Sequence, residues 1–309
     1  METPISIKVV GVGGSGCNAI ARMEKDRIRG VELIALNSDY QDLKKIKVDV
    51  KIQIGRKLTQ GLGTGMDPEI GRRAAEEQRE EIKLALQGAG MVFIACGLGG
   101  GTGSGASPIV AQIARDAGAL TVAVVTRPFS FEGLWRQRIA ENAVANLKDH
   151  VDSLISISND KLLSTLNPST TIISAFWICD EILRQAVQSI SDLVLFPGII
   201  NVDFADVKSI LKDSGRAIFG IGRAKGDGRA ERAAMAAIDS PLFDVPARGA
   251  KGVLFNVTGG PDISLSEIEE AAKIATNEIN PQAKVIFGAV QDQNMPKGEI
   301  KITVVATGF

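Results

Sequence analysis

The sequence predicts an α/β protein: a parallel, doubly wound sheet, a long central helix, and a smaller α+β domain with a four-stranded sheet. Three observations carry this. Between Ile5 and Ser158 short apolar runs alternate with amphipathic stretches, as βα repeats require. Two of those runs pass directly into glycine clusters, "GVGGSG" from Gly11 and "GLGGGTGSG" from Gly97. The segment from Thr171 to Leu195 then keeps a wide apolar face at helical spacing, through Ile178, Ile182, Ala186, Val187, Ile190 and Val194.

Taken in order, the expected strands of the first part are "IKVVGV", "VELIALN", "VKIQIG", "MVFIAC", "LTVAVVT" and "DSLISIS". In such a sheet ligands sit beyond the carboxyl ends of the strands, so the informative residues are Gly11 to Gly13, Asn37 to Asp39, Cys96 to Leu98 and Thr126 to Pro128. The helix after the second glycine cluster is expected to begin near Ser107. Pro197-Gly198 should end the long helix, with a new helix starting near Asp203. Four strands follow, "AIFGIGRA", "GVLFNVTG", "KVIFGAV" and "IKITVVATG", with a helix opened by a capping box from Ser264 to Glu267. The expected domains are therefore 1–170, a connecting helix 171–195, and 196–309.

Composition bounds the function. The 309 residues suffice for about two domains. With 35 basic and 36 acidic residues the formal charge is -1, which gives no electrostatic footprint for nucleic acid or a membrane surface. Cys17, Cys96 and Cys179 have neither disulfide nor zinc spacing and fit a reducing cytoplasm. No apolar run reaches the roughly 18 residues of a membrane span, so no membrane insertion is expected.

Gly11, Gly13 and Gly16 match G-x-G-x-x-G, which serves a dinucleotide, another phosphate, or a tight strand-to-helix turn equally well. The second cluster separates these. Glycines 97, 99, 100, 101, 103 and 105 let backbone N–H groups converge on an anion, and a helix N-terminus stands behind them. It has no lysine and is not a P-loop, while Thr102 and Ser104 offer hydroxyls to phosphate oxygens or a magnesium shell. Asp39 could serve the ribose of a nicotinamide cofactor, an oxidoreductase alternative that leaves the second cluster without a role.

"GGGTGSG" resembles the tubulin signature loop, and the chain resembles more closely the FtsZ family, the bacterial cell-division homologues of tubulin. The likeness runs nearly end to end, through "IKVVGVGGSGCNAI", "ALNSDYQDL", "IGRKLTQGLGTGMDPEIGRRAAEE", "RPFSFEG", "ISNDKLL", "DEILRQAVQSISDL", "NVDFADV" and "KITVVATGF". The resemblance implies a GTP-binding, GTP-hydrolysing cytoskeletal protein that assembles head-to-tail into filaments of the septal ring, cytoplasmic and at the division site. A tubulin-like polymer with little hydrolysis is the alternative.

By the same resemblance Gly13 and Gly14 approach the α- and β-phosphates, and Gly97, Gly99, Gly100, Gly101, Thr102 and Gly103 the β- and γ-phosphates. Gly63, Thr64 and Gly65 belong to a γ-phosphate-sensing loop. Asn18, Asn37, Asn159 and Asp180 fall at nucleotide-contacting positions, and a carboxylate suits guanine because N1–H and N2–H2 are adjacent donors. Phe176, one helical turn before Asp180, could stack on the base or simply fill the core. Glu132 and Arg136, expected four apart on one helix face, would meet the ribose and phosphate end.

"NVDFADV" places Asp203 and Asp206 three apart at a helix start, after Asn201. As residues they read as helix caps and a first-turn acid. The resemblance implies instead that Asn201, Asp203 and Asp206 act on the GTP of the neighbouring subunit, polarising water and helping to hold Mg2+ or a monovalent cation. No metal site within a single chain is implied. Head-to-tail contacts of this kind give open filaments. Trp135, Trp177 and Asp67 depart from the family pattern, and Asp67 should add a negative charge near the γ-phosphate. The chain ends at Phe309, whereas family members continue into a tail that binds other division proteins.

Overall fold

A computed structural model describes residues 5–26, 28, 30–163, 166–167, 169–196, 198–243, 245–293 and 295–309. Pro197, expected with Gly198 to end the long helix, lies outside the described residues. The chain divides into two compact units, Met1–Gln188 and Ser189–Phe309.

In the first unit, strands β1 (Ile7–Val12), β2 (Val31–Asn37), β3 (Val50–Gln53), β4 (Met91–Gly97), β5 (Leu120–Arg127) and β6 (Ser153–Ser158) pair in the order β3-β2-β1-β4-β5-β6, all parallel. Val9 stands between Leu33 and Phe93, and β1 is buried along its whole length. Continuous apolar strands are what a sheet covered on both faces demands. The strand order reverses between β1 and β4, and the crevice beyond their carboxyl ends is where an open α/β sheet receives a ligand. Both strands run there into the two glycine clusters.

The helices of this unit are α1 (Gly13–Lys25), α2 (Tyr40–Lys45), α3 (Pro68–Glu77), α4 (Arg79–Leu86), α5 (Gly101–Asp116), α6 (Leu134–Lys148), α7 (Asn159–Leu163) and most of α8 (Ile172–Leu195). Two differ from expectation. Helix α5 begins at Gly101 and not near Ser107, so three glycines form its opening turns. They are there for contact: a methyl on Gly105 would collide with the Pro68 carbonyl, and one on Gly101 with the Thr64 hydroxyl, so α3 and its entry loop lie directly against bare α5 backbone. Glu132 and Arg136 do not share a helix either. Glu132 ends a 3-10 turn, Ser130–Glu132, and Gly133 at φ +99° separates it from α6.

Helix α8 spans the expected residues, with Ile182, Ala186, Val187 and Ile190 buried. The second unit adds α9 (Phe204–Leu211), β7 (Gly215–Lys225), α10 (Arg229–Ile238), β8 (Gly252–Gly259), α11 (Leu265–Glu278), β9 (Lys284–Gln291) and β10 (Glu299–Thr307). Its sheet runs β7-β10-β8-β9, antiparallel except for β8 with β9. Phe255, Ile302, Val304 and Ala233 lie in its core.

The expected capping box is present: Ser264 accepts from the Glu267 N–H at 3.3 Å and its own N–H reaches Glu267 Oε2 at 2.9 Å. Arg229, 5% exposed, ties α10 to this cap through Glu267 and Asp262. Its hydrogen bond holds the Glu267 carboxyl down at about 2.

Candidate functional site

The glycines of the first cluster have different tasks. A methyl on Gly11 would overlap the Gly16 carbonyl, and one on Gly16 the Ala95 carbonyl, so this pair lets α1 pack onto β1 and β4. Gly13 turns the chain at φ +72°, and a methyl there would sit 3.0 Å from the Gly103 nitrogen. The two clusters are therefore in contact. Gly14 and Gly100 face open space, and neither α1 nor α5 has a side-chain cap at its N-terminus. Two uncapped helix starts side by side present unsatisfied N–H groups and aligned dipoles, which is the chemistry of an anion site.

Thr102, in the first turn of α5, joins further loops to this pair. Its hydroxyl lies 2.7 Å from that of Ser38, just after β2, and 3.4 Å from that of Thr64. Gly63 and Gly65, flanking Thr64 at φ +80° and +57°, have open space around them. Asp67 caps α3 by accepting from the Glu69 N–H at 2.8 Å. Ser104, expected to offer its hydroxyl to a ligand, is buried and accepts from the Gly99 N–H at 2.9 Å, so it shapes the loop instead. Asp39, the acid a nicotinamide site would need, caps α2 through the Asp42 N–H.

From Gly99 the contacts continue round the site. A methyl on Gly99 would lie 3.0 Å from the Arg136 carbonyl. Arg136 pairs with Glu132 at 2.5 Å across the Gly133 break, and Glu132 also accepts from the Phe129 N–H at 2.9 Å. The ring of Phe129 meets Phe176 edge-on at 5.3 Å. Phe176 is 40% exposed, which removes simple core filling as its role. One turn on, Asp180 is 7% exposed and takes Arg22 on Oδ2 at 3.3 Å. Arg22 stands on α1 one turn after Asn18, which is exposed, and this returns the ring to the first cluster.

Burial lifts the Asp180 carboxyl to about 6, against the opposing charge and hydrogen bond of Arg22 and a hydrogen bond from Ser15. Two amides at strand ends have orphaned atoms: Asn37 Nδ2, on the last residue of β2, and Asn159 Oδ1, just after β6, both buried. Buried polar atoms of this kind call for a partner. Here a donor and an acceptor await a polar ligand of mixed character.

Thus the structure links the glycine loops, Thr64, Thr102, Glu132, Arg136, Phe176 and Asp180 into one rim at the switch point. Ser38 lies in the Asn37 to Asp39 stretch that the strand end marks, whereas Arg22 is an addition of the structure. Its only sequence signal is faint: it lies four residues after Asn18 on one helix face.

In the second unit, Asp203 is the N-cap of α9, its Oδ1 accepting from the Asp206 N–H at 2.8 Å, as the capping reading expects. Asn201 Oδ1 accepts from the Gly198 N–H at 2.6 Å. The Asp206 carboxylate has no hydrogen bond or ion pair among the described residues, although its helix position is stabilising.

Residues 6–167 match the model of the tubulin/FtsZ family GTPase domain, and residues 215–309 that of the FtsZ family C-terminal domain. Among solved structures, the chain is similar to an empty FtsZ dimer from M. jannaschii, with 44% identity and a TM-score of 0.95 over 100% of this chain and 89% of that one. A point variant of FtsZ from the same organism is 45% identical, with a TM-score of 0.95 over 99% and 92%. A GTPgS-bound protofilament of CetZ2 from Haloferax volcanii shares the fold, with 22% identity and a TM-score of 0.78 over 98% and 92%.

Proposed function

This chain belongs to the tubulin/FtsZ family of GTPases, and from that premise we propose that it hydrolyses GTP only in head-to-tail filaments, where each site is completed by the next copy. Filament formation and a part in cell division go with FtsZ membership. The reading beyond that concerns which residues act.

The two bare helix starts and the loop at Thr64 hold the phosphates, Arg136 adds positive charge, and Asp180, Asn159 and Asn18 contact guanine with Phe176 against its face. Asn37 and Glu132 complete the ribose side. One observation carries the in-trans step. Among the described residues the phosphate end is built of glycines and hydroxyls, and Asp67, the acid beside it, is engaged as the cap of α3, whereas Asp206 on the other unit has a carboxylate without a partner among the described residues. Acting on a neighbour's GTP, Asp206 accepts a proton from the attacking water, while Asp203 and Asn201 fix the loop. Asp203 and Asp206 are the acids that would help to hold Mg2+ or a monovalent cation, which would supply charge neutralisation at the phosphate end. The second domain is thus the activator of the first domain of another copy, at the division site in the cytoplasm.

Mixing tests this. Asp206→Ala should bind GTP and pellet with it yet release little phosphate. Adding Thr102→Val, which keeps Asp206 but binds GTP poorly, should restore release above the sum of the two variants measured alone. Normal turnover by Asp206→Ala by itself would sink the proposal.

A further inference from the structure

Arg22 occupies a position that the GTPase reading leaves without a task. Its Nε and Nη2 reach Asp180 Oδ2 at 3.4 and 3.3 Å, and Trp177, one turn of α8 earlier, lies over the guanidinium with its ring centroid 5.1 Å away. An aromatic face over a guanidinium both attracts it and shields it from water. The other charged groups near Asp180 are engaged elsewhere: Glu132 with Arg136, Glu181 with Arg184, and Asp26 with Arg184 at 3.1 Å. Ser15 contributes only a hydroxyl.

The protonation state of Asp180 decides which base it can read. A carboxylate offers two acceptors and complements the adjacent N1–H and N2–H2 donors of guanine. A neutral carboxyl offers one donor and one acceptor, the pattern that complements N1 and the N6 amine of adenine. Burial alone drives Asp180 toward the neutral form, and only the opposing charge and hydrogen bonds bring it back to about 6.

Resting on the assignment of Asp180 to the base, we propose that Arg22, braced by Trp177, sets the guanine specificity of the site by keeping Asp180 an acceptor on both oxygens. Arg22 is a positioning residue, acting through Asp180. Trp177, which departs from the family pattern, thereby acquires a role in the ligand site.

The test is the ratio of ATP to GTP dissociation constants, by equilibrium titration of the full chain at pH 6.5 and pH 8.5. Taking a ratio cancels titration of the nucleotide phosphates. The wild type should prefer GTP at both pH values. Arg22→Gln should lose that preference at least tenfold at pH 6.5 and recover it as pH rises to 8.5, because higher pH favours the carboxylate that burial disfavours. Arg22→Lys, which keeps the charge, should retain it at both. Asp180→Asn, fixed as donor and acceptor, should lose it at both.

An unchanged ratio in Arg22→Gln at pH 6.5, or an equal loss at both pH values, would overturn the inference while leaving the GTPase reading intact. A wild type that binds ATP as tightly as GTP would overturn both.

Discussion

The hydroxyls of Ser38 and Thr102 stand 2.7 Å apart, bringing the end of β2 to the first turn of α5. Through them the second strand, the Thr64 loop and the glycine helix start share one junction. Thr102→Val removes the hydroxyl and leaves that of Ser38 without this partner. GTP affinity should fall about tenfold, the effect of losing a hydrogen bond and stranding its partner. Isothermal titration, with circular dichroism unchanged, checks it.

Gly105→Ala should strike stability first. The added methyl would collide with the Pro68 carbonyl and lie 2.7 Å from the Arg72 nitrogen, and neither backbone atom can rotate away. Overpacking of this kind costs about 1–3 kcal/mol, so calorimetry should show the midpoint falling by several degrees.

Asp67 caps α3, and a methyl on Gly101 would lie 2.7 Å from its backbone nitrogen, so its charge stands close to the start of α5. Asn caps equally well, so Asp67→Asn should keep the fold and remove only the charge. GTP affinity should rise a few-fold, and the gain should shrink in high salt. An affinity equal to the wild type would remove Asp67 from the account of the phosphate end.

Arg229 and Glu267 give the second unit an acid-sensitive joint. The folded Glu267 carboxyl is held at about 2, below its ordinary 4.5, chiefly by the Arg229 hydrogen bond. A depressed carboxyl stabilises the fold fully above its unfolded value, and that contribution is lost as pH falls from about 4.5 through 2. Denaturant melts of the wild type should weaken across that window. Arg229→Met, leaving Glu267 and Asp262 without their buried cation, should lose about 3 kcal/mol at neutral pH.

Much of this was legible in the chain. β1, β2, β4 and β5 follow from apolar runs because strands covered on both faces demand them, β3 and β6 carry a partly polar pattern, and α8 follows from the spacing of Ile182, Ala186 and Ile190. The site's location was likewise readable from where strands meet glycine. What was not readable depended on contacts between distant segments. Gly101, Gly103 and Gly105 look like a loop because their helical state is set by α3, thirty residues earlier. Glu132 and Arg136 look like a helical pair because Gly133 gives no hint in sequence of its φ of +99°. The Arg22 partnership with Asp180 spans 158 residues, beyond any local signal.

The central claim is that a second copy completes the GTPase site, and phosphate release per chain against protein concentration tests it most directly. The account predicts a rate per chain that starts near zero at high dilution, climbs with concentration as filaments form, and levels only once the protein is assembled. A rate per chain that stays constant across a hundredfold dilution would contradict it, because a site complete within one chain has no use for a neighbour.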